Sequence, residues 1–255
     1  MKKLNWFLGV LLFALIPVLQ SCDDDDNNVI GWDWATVQAT GGGEYTLVGD
    51  KWGTILPVAT AIPWYKPVDG ERVVAFFRPL EEGAQGQEHD VVVKMEGITS
   101  VLTKEVEELT AENEEEFGND PIVIYEGDMW LGGKYLNLIF RQNIPHSEKH
   151  RISLVENKKV TVDPQENDGY VHLELRYNTY DDTTNLWGWG RVSYNLADYY
   201  PSAEHFSDTE TPTFKGFKVK INSKTNGERT LVLEIGKSVA VPESAKDAHS
   251  TMSLK

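Results

Sequence analysis

The feature that most restricts the fold is a period of two. Val171, Leu173, Leu175 and Tyr177 alternate with His172, Glu174, Arg176 and Asn178, and Phe217, Val219 and Ile221 alternate with Lys218, Lys220 and Asn222. Side chains on a strand point to opposite faces in turn, so each stretch has one apolar face to bury and one face for water. Tyr135 to Phe140 follows the Gly132-Gly133 turn, and Asn226-Gly227 offers a hairpin before Thr230 to Ile235. Strands at this spacing, with no helical period between them, predict a β-sandwich over residues 120–240.

The first part of the chain is also β, in shorter pieces. Gly31 to Gln38, Glu44 to Val48, Ile55 to Val58, Glu71 to Phe77 and Asp90 to Met95 read as strands, separated by Gly41-Gly42-Gly43, by the turn Gly49 to Thr54, and by a loop carrying Pro63 and Pro67. About five strands in so short a stretch suggest a small barrel of the OB type over residues 32–104. Between them, residues 105–119 are rich in glutamate. Thr110 can cap a short helix and Gly118 can end it, so this segment is expected to be an acidic linker or short helix. Residues 241–255, rich in Ser, Lys, Asp and His, are expected to be a flexible tail. The fold class is therefore all-β: a small OB-like barrel followed by a β-sandwich.

Met1-Lys2-Lys3 and the apolar run Trp6 to Leu19 precede both domains. The run falls short of the ~20 apolar residues that span a bilayer, and with its cationic start it reads as a signal peptide, residues 1–21. Leu19-Gln20-Ser21-Cys22 resembles a bacterial lipobox. The resemblance implies cleavage before Cys22 and lipidation of its thiol and amino group; Cys22 is the sole cysteine, so no disulfide competes for it. Residues 22–31 form an acidic tether. Asp23, Asp24, Asp25 and Asp26 are a like-charge block of the kind that stays solvated, and in lipoproteins of the Bacteroidetes such a cluster resembles the signal for display on the outer face of the outer membrane. The expected location is the outer membrane, lipid-anchored and facing the exterior.

Net charge is −16, and −18 once Lys2 and Lys3 leave with the signal peptide. Such a chain repels DNA and RNA, whose binding rests on Lys and Arg neutralising phosphates, so nucleic acid is excluded as a partner class. No motif for a nucleophile elbow, a phosphate loop or a His-Glu-x-x-His metal helix is present, and catalytic residues, metal ligands and cofactors are all expected to be none. His146 and His150 lie four apart but in a loop context after Pro145. Asp163 to Glu174 has the length of a calcium loop with its glycine one place late, at Gly169. Asp181-Asp182 could pair across a sugar, a separation that sequence does not fix. The best ligand candidates are Trp187 and Trp189 in Trp-Gly-Trp-Gly. On a strand they share a face, and that face is either a binding platform or sandwich core. Trp32 and Trp34 pose the same question.

Taken in order, Trp34-Ala35-Thr36-Val37, Tyr45-Thr46-Leu47 running into Asp50 to Pro57, and Arg72 to Phe77 resemble the N-terminal domain of the NigD-like lipoproteins. Leu102-Thr103-Lys104, Gly118-Asn119-Asp120-Pro121, Trp130 to Asn137 and Leu173 to Asn178 resemble their C-terminal domain, so the likeness runs from Cys22 to about Ile235. Trp52 departs from it, at a place where the turn usually carries a small or acidic residue. The resemblance implies an OB-like domain followed by a β-sandwich and brings no catalytic residues. It implies a non-catalytic binding or interaction protein with an unknown protein or glycan partner, bacteriocin immunity being one form of that role. The alternative is a glycan-binding accessory protein or weak glycosidase.

Overall fold

The computed structural model describes residues 30–82, 89–159, 168–200, 214–237, 241–246 and 254–255. The signal peptide, Cys22 and Asp23 to Asp26 lie outside them. Strands β1 (Gly31–Gly41), β2 (Glu44–Gly49), β3 (Gly53–Thr60), β4 (Arg72–Glu82) and β5 (Val91–Ser100) close into a barrel in the order β1-β2-β3-β5-β4, with β3 and β5 parallel. Ala35, Val37, Leu47, Ile55, Val73, Ala75, Phe77, Val93 and Met95 fill its interior. The apolar run of β4 is continuous rather than alternating because both faces are covered. Val73, Ala75 and Phe77 point into the barrel, while Val74 and Phe76 point outward against the second domain. Pro79 does not end this strand, which passes through it at a bulge.

The second domain stacks two sheets. One has the order β14-β13-β11-β10-β7 and the other β6-β12-β9-β8. They are built from β6 (Leu102–Glu105), β7 (Glu107–Leu109), β8 (Met129–Gly132), β9 (Tyr135–Pro145), β10 (Arg151–Asn157), β11 (Tyr170–Asn178), β12 (Thr183–Asn195), β13 (Gly216–Ser223) and β14 (Gly227–Glu234). Leu136, Leu138, Phe140, Ile152, Leu154, Leu173, Leu175, Tyr177, Val192, Tyr194, Phe217, Val219 and Ile221 form the layer between the sheets, so the alternating apolar sets of β11 and β13 do face one core.

Two segments carry more structure than expected. Residues 105–119 contain the short helix and, before it, strand residues that belong to the sandwich. The chain passes from β5 to β6 through the single residue Val101, and β6 and β7 then enter opposite sheets of the sandwich. Helix α1 (Glu114–Phe117) follows, with Asn113 rather than Thr110 at its N-cap and Gly118 at its C-cap in the left-handed region (φ 62°). Phe117 is buried with Leu109 and Val155. The glutamates are numerous because they meet cations: Glu107 pairs with Arg151 (2.6 Å) and Lys104 (3.3 Å), Glu116 pairs with Arg151, and Glu114 with Lys159. Residues 241–246 are not a loose tail. Ala245 is fully buried, its carbonyl accepts the indole N–H of Trp34 (3.2 Å), and the Ser244 carbonyl accepts from Arg191 (3.3 Å). At the very end, Leu254 and Lys255 extend the sheet beside His150, the Lys255 N–H donating to the His150 carbonyl (2.9 Å).

Candidate functional site

Most stretches that carry the family resemblance meet at one place, the junction between barrel and sandwich. Trp34 on β1 and Trp130 on β8 are buried edge to face, ring centroids 5.0 Å apart, with Val74, Val101, Ile139 and Ala245 around them. Beside them lies a buried polar network. The Arg72 guanidinium is 1% exposed and grips the Asp50 carboxylate with two nitrogens, at 3.0 and 2.7 Å. It also donates to the side-chain oxygens of Asn137 (3.0 Å) and Thr36 (3.2 Å), and its plane lies 4.4 Å over the Tyr135 ring. Asn137 returns a bond to Asp50 (2.9 Å) and accepts one from Ser193 (2.6 Å). Gly132 leaves the space that the Asp50 carboxylate occupies: a Cβ there would stand 1.9 Å from its oxygen. The arrangement joins two domains and has no open face for a substrate.

Asp33, on the barrel strand next to Trp34, is almost wholly buried and accepts the backbone N–H groups of Lys51 and Trp52, both at 2.9 Å. Burial pushes its carboxyl up to about 6, with Asp50 adding to the rise, against the lowering effect of those N–H groups.

Trp187 and Trp189 lie on one face of β12, as the spacing required, but in different settings. Trp187 is 46% exposed, while Trp189 is partly buried against the junction cluster. Gly190, which follows Trp189, faces inward: a Cβ there would meet the Phe140 ring at 2.4 Å, so the glycine gives its place to Phe140 while the indoles point outward. Arg141, directly across from Trp189 on β9, lies 4.8 Å from the Trp189 ring and 5.8 Å from that of Trp187. Lys224, from the turn after β13, sits 4.7 Å from the Trp187 ring. The result is a ladder of alternating cations and indoles, Lys224–Trp187–Arg141–Trp189. Arg141 donates to the Tyr125 hydroxyl (3.4 Å), and Leu186, which precedes Trp187 in the chain, is 68% exposed. Among the described residues, neither Arg141 nor Lys224 forms an ion pair, in a chain of net charge −16. Sequence alone did not show Arg141 and Lys224, because their place depends on the β9–β12 register and on a turn from the other sheet.

The other sequence candidates have structural work. Both ring nitrogens of His150 are engaged, with the Tyr177 hydroxyl (2.7 Å) and the Asp182 carbonyl (2.8 Å). Asp182 accepts the backbone N–H groups of Glu148 (2.5 Å) and Ser147 (2.8 Å), which hold its carboxyl below the usual range. Asp168 pairs with Lys218, and Glu174 with Arg176 and Asn157. Asp163 lies outside the described residues. Among those described, no three His, Cys, Asp or Glu side chains group as a metal site would require.

A five-stranded barrel joined through buried tryptophans to a two-sheet sandwich defines a class of two-domain, all-β proteins. Residues 34–95 match the NigD-like N-terminal OB domain and residues 105–235 the NigD-like C-terminal beta sandwich domain; the chain belongs to the NigD-like family. Among solved structures it resembles a protein of unknown function from Bacteroides vulgatus, at 28% identity over 89% of this chain and all of that one, TM-score 0.72. It also resembles a protein from Parabacteroides distasonis described only as toxin-related, at 31% identity over 80% of this chain and 91% of that one, TM-score 0.61. A NigD-like immunity protein from Bacteroides caccae shares the fold at 19% identity, with 79% of this chain and 91% of that one covered and a TM-score of 0.55. No curated protein matches the chain.

Proposed function

We propose that this is a lipid-anchored protein of the outer face of the outer membrane that binds a macromolecular partner and catalyses nothing. Cys22 carries the lipid, Asp23 to Asp26 act as the export address, and the ladder of Lys224, Trp187, Arg141 and Trp189 is the docking face. The observation that carries the reading is the unpaired charge on the ladder. Two cations without carboxylate partners among the described residues, spaced by indoles, suit an acidic protein surface with an apolar centre. An immunity role, in which the partner is a toxin, fits the family name and the description of the Parabacteroides relative.

The test is capture on intact cells and from culture medium by the mature chain and by its Trp187→Ala, Arg141→Ala and Lys224→Ala forms. Loss of the same captured protein in all three, with unchanged far-UV circular dichroism, supports the docking face. Capture of the same partner by the triple variant removes that face from the proposal. Turnover of an aryl glycoside or polysaccharide, abolished by changing two carboxylates, would overturn the non-catalytic reading in favour of the glycosidase.

A further inference from the structure

The barrel wall has an opening. Strands β2 and β3 pair only from Leu47 with Ile55 to Gly49 with Gly53. In an antiparallel ladder the residues that exchange hydrogen bonds alternate. The main chain of Val37, across from Leu47 on β1, bonds away from β2, to Glu71 and Gly70, so Leu47 exchanges its bonds with Ile55. Two residues on, the next such pair would be Tyr45 with Pro57. It does not form. Proline has no N–H to give the Tyr45 carbonyl, and β3 bulges between Pro57 and Ala59. The strands part there, leaving a cleft of about 620 Å³ between them.

The cleft is walled by polar and apolar surface in nearly equal part and has open main-chain groups along its side. Tyr45, Leu56, Ile62 and Tyr65 line it, and Glu44 is the one charged residue among its walls. The N–H and C=O of Tyr45 face the gap, whereas β2 on its other side is fully paired to β1. The two tyrosine rings are packed on each other edge to face at 5.5 Å, and the Tyr65 hydroxyl is held by Glu71 (2.9 Å), so neither presents a free ring and hydroxyl to a sugar. Val58 and Trp64 stand exposed at the rim, 58% and 66%, and the cleft lies at the end of β1 away from Ile30, where the tether joins.

We propose that this cleft is a strand-addition site. An extended peptide pairs by its main chain with β2 at Tyr45, sets an apolar side chain into the pocket, and places a cationic residue against Glu44. Main-chain pairing supplies the affinity of such complexes, and alternate side chains supply the selectivity. The cleft is separate from the indole–cation ladder, and either can fail without the other.

The probe is the capped peptide Lys-Val-Thr-Val-Lys, titrated to millimolar concentration into the ¹⁵N-labelled mature chain, residues 22–255 carrying Cys22→Ala. Saturable shifts of the Tyr45 and Ala59 amide signals are expected. They should be lost when alternate peptide nitrogens are methylated, and weakened at least threefold with Glu-Val-Thr-Val-Glu. Glu44→Lys, at an exposed rim position, should reverse that preference and leave the fold intact. No shift of these amides, or equal shifts with the N-methylated peptide, overturns the proposal. Shifts caused by xylohexaose and not by the peptide would make the cleft a sugar site and overturn it as well.

Discussion

Removing the Asp50 carboxylate tests how the two domains are held together. In Asp50→Ala the Arg72 guanidinium stays charged and 1% exposed, and it loses both short bonds of the grip. Asn137 loses one partner at the same time. Breaking a buried pair from one side costs about 3–5 kcal/mol, because the remaining charge is stranded out of water. With a urea slope near 3 kcal/mol/M, at the upper end for small proteins, the midpoint should fall by about 1–1.7 M. Glu228→Ala, which breaks an exposed pair with Lys220, is the control and should cost no more than about 1 kcal/mol. The double variant Asp50→Ala/Arg72→Met leaves no stranded charge and should recover at least about 1 kcal/mol of the loss. Tryptophan fluorescence reports on Trp34 and Trp130 at the junction and far-UV circular dichroism on all the strands, so coincident transitions would show one cooperative unit. An Asp50→Ala midpoint within error of the control, or a double variant less stable than the single, would refute the stranded-charge argument.

Four further outcomes are expected. Asp33 binds its proton more tightly folded (about 6) than unfolded (3.8), so the folded state holds more protons between those values and stability falls as pH rises through them. Asp33→Asn should remove about 2 kcal/mol of that fall between pH 4 and pH 7, read from the difference in urea midpoints; parallel curves for the two proteins would sink the assignment. Trp187→Ala should cost under about 1 kcal/mol and Trp130→Ala about 3–5, since one ring is half in water and the other is in the junction core; equal losses would contradict the burial pattern. Deleting residues 241–255 uncovers the Trp34 indole N–H and the junction cluster, a loss of about 2 kcal/mol or a melting temperature lower by about 4–8 °C; unchanged melting would mean that Ala245 holds nothing. Cys22→Ala should leave the membrane fraction, and retention after a high-salt wash would remove the lipid-anchor proposal.

The sandwich was legible in the sequence because β11 and β13 each keep a clean alternation, and burial of one face is a local property. The barrel was legible from its turns and strand spacing. In residues 105–119 the short helix was legible, but the strand pairing before it was not, because few apolar side chains (Val106, Leu109, Phe117) mark it and Glu107 and Glu114 meet Arg151, Lys104 and Lys159 only in the folded chain. Residues 241–246 misled for another reason: they are held by the carbonyls of Ser244 and Ala245, which any sequence would supply, and by only two small apolar side chains, Val241 and Ala245, too few to mark a packed segment. For Trp187 and Trp189 the period of two gave a shared face but not which side of the sheet it was. The setting of each depends on Arg141 and Lys224, which only the folded topology brings alongside.

The junction also has a mechanical consequence. If the lipid anchor proposed above holds the chain from the side of Ile30, a pull on the sandwich loads β1. That strand carries Trp34, so the load passes through the wedged indoles and the Arg72 grip into β1. Only Val101 stands between β5 and β6, so barrel and sandwich take the load as a single lever, and any surface on the sandwich keeps a fixed bearing to the barrel.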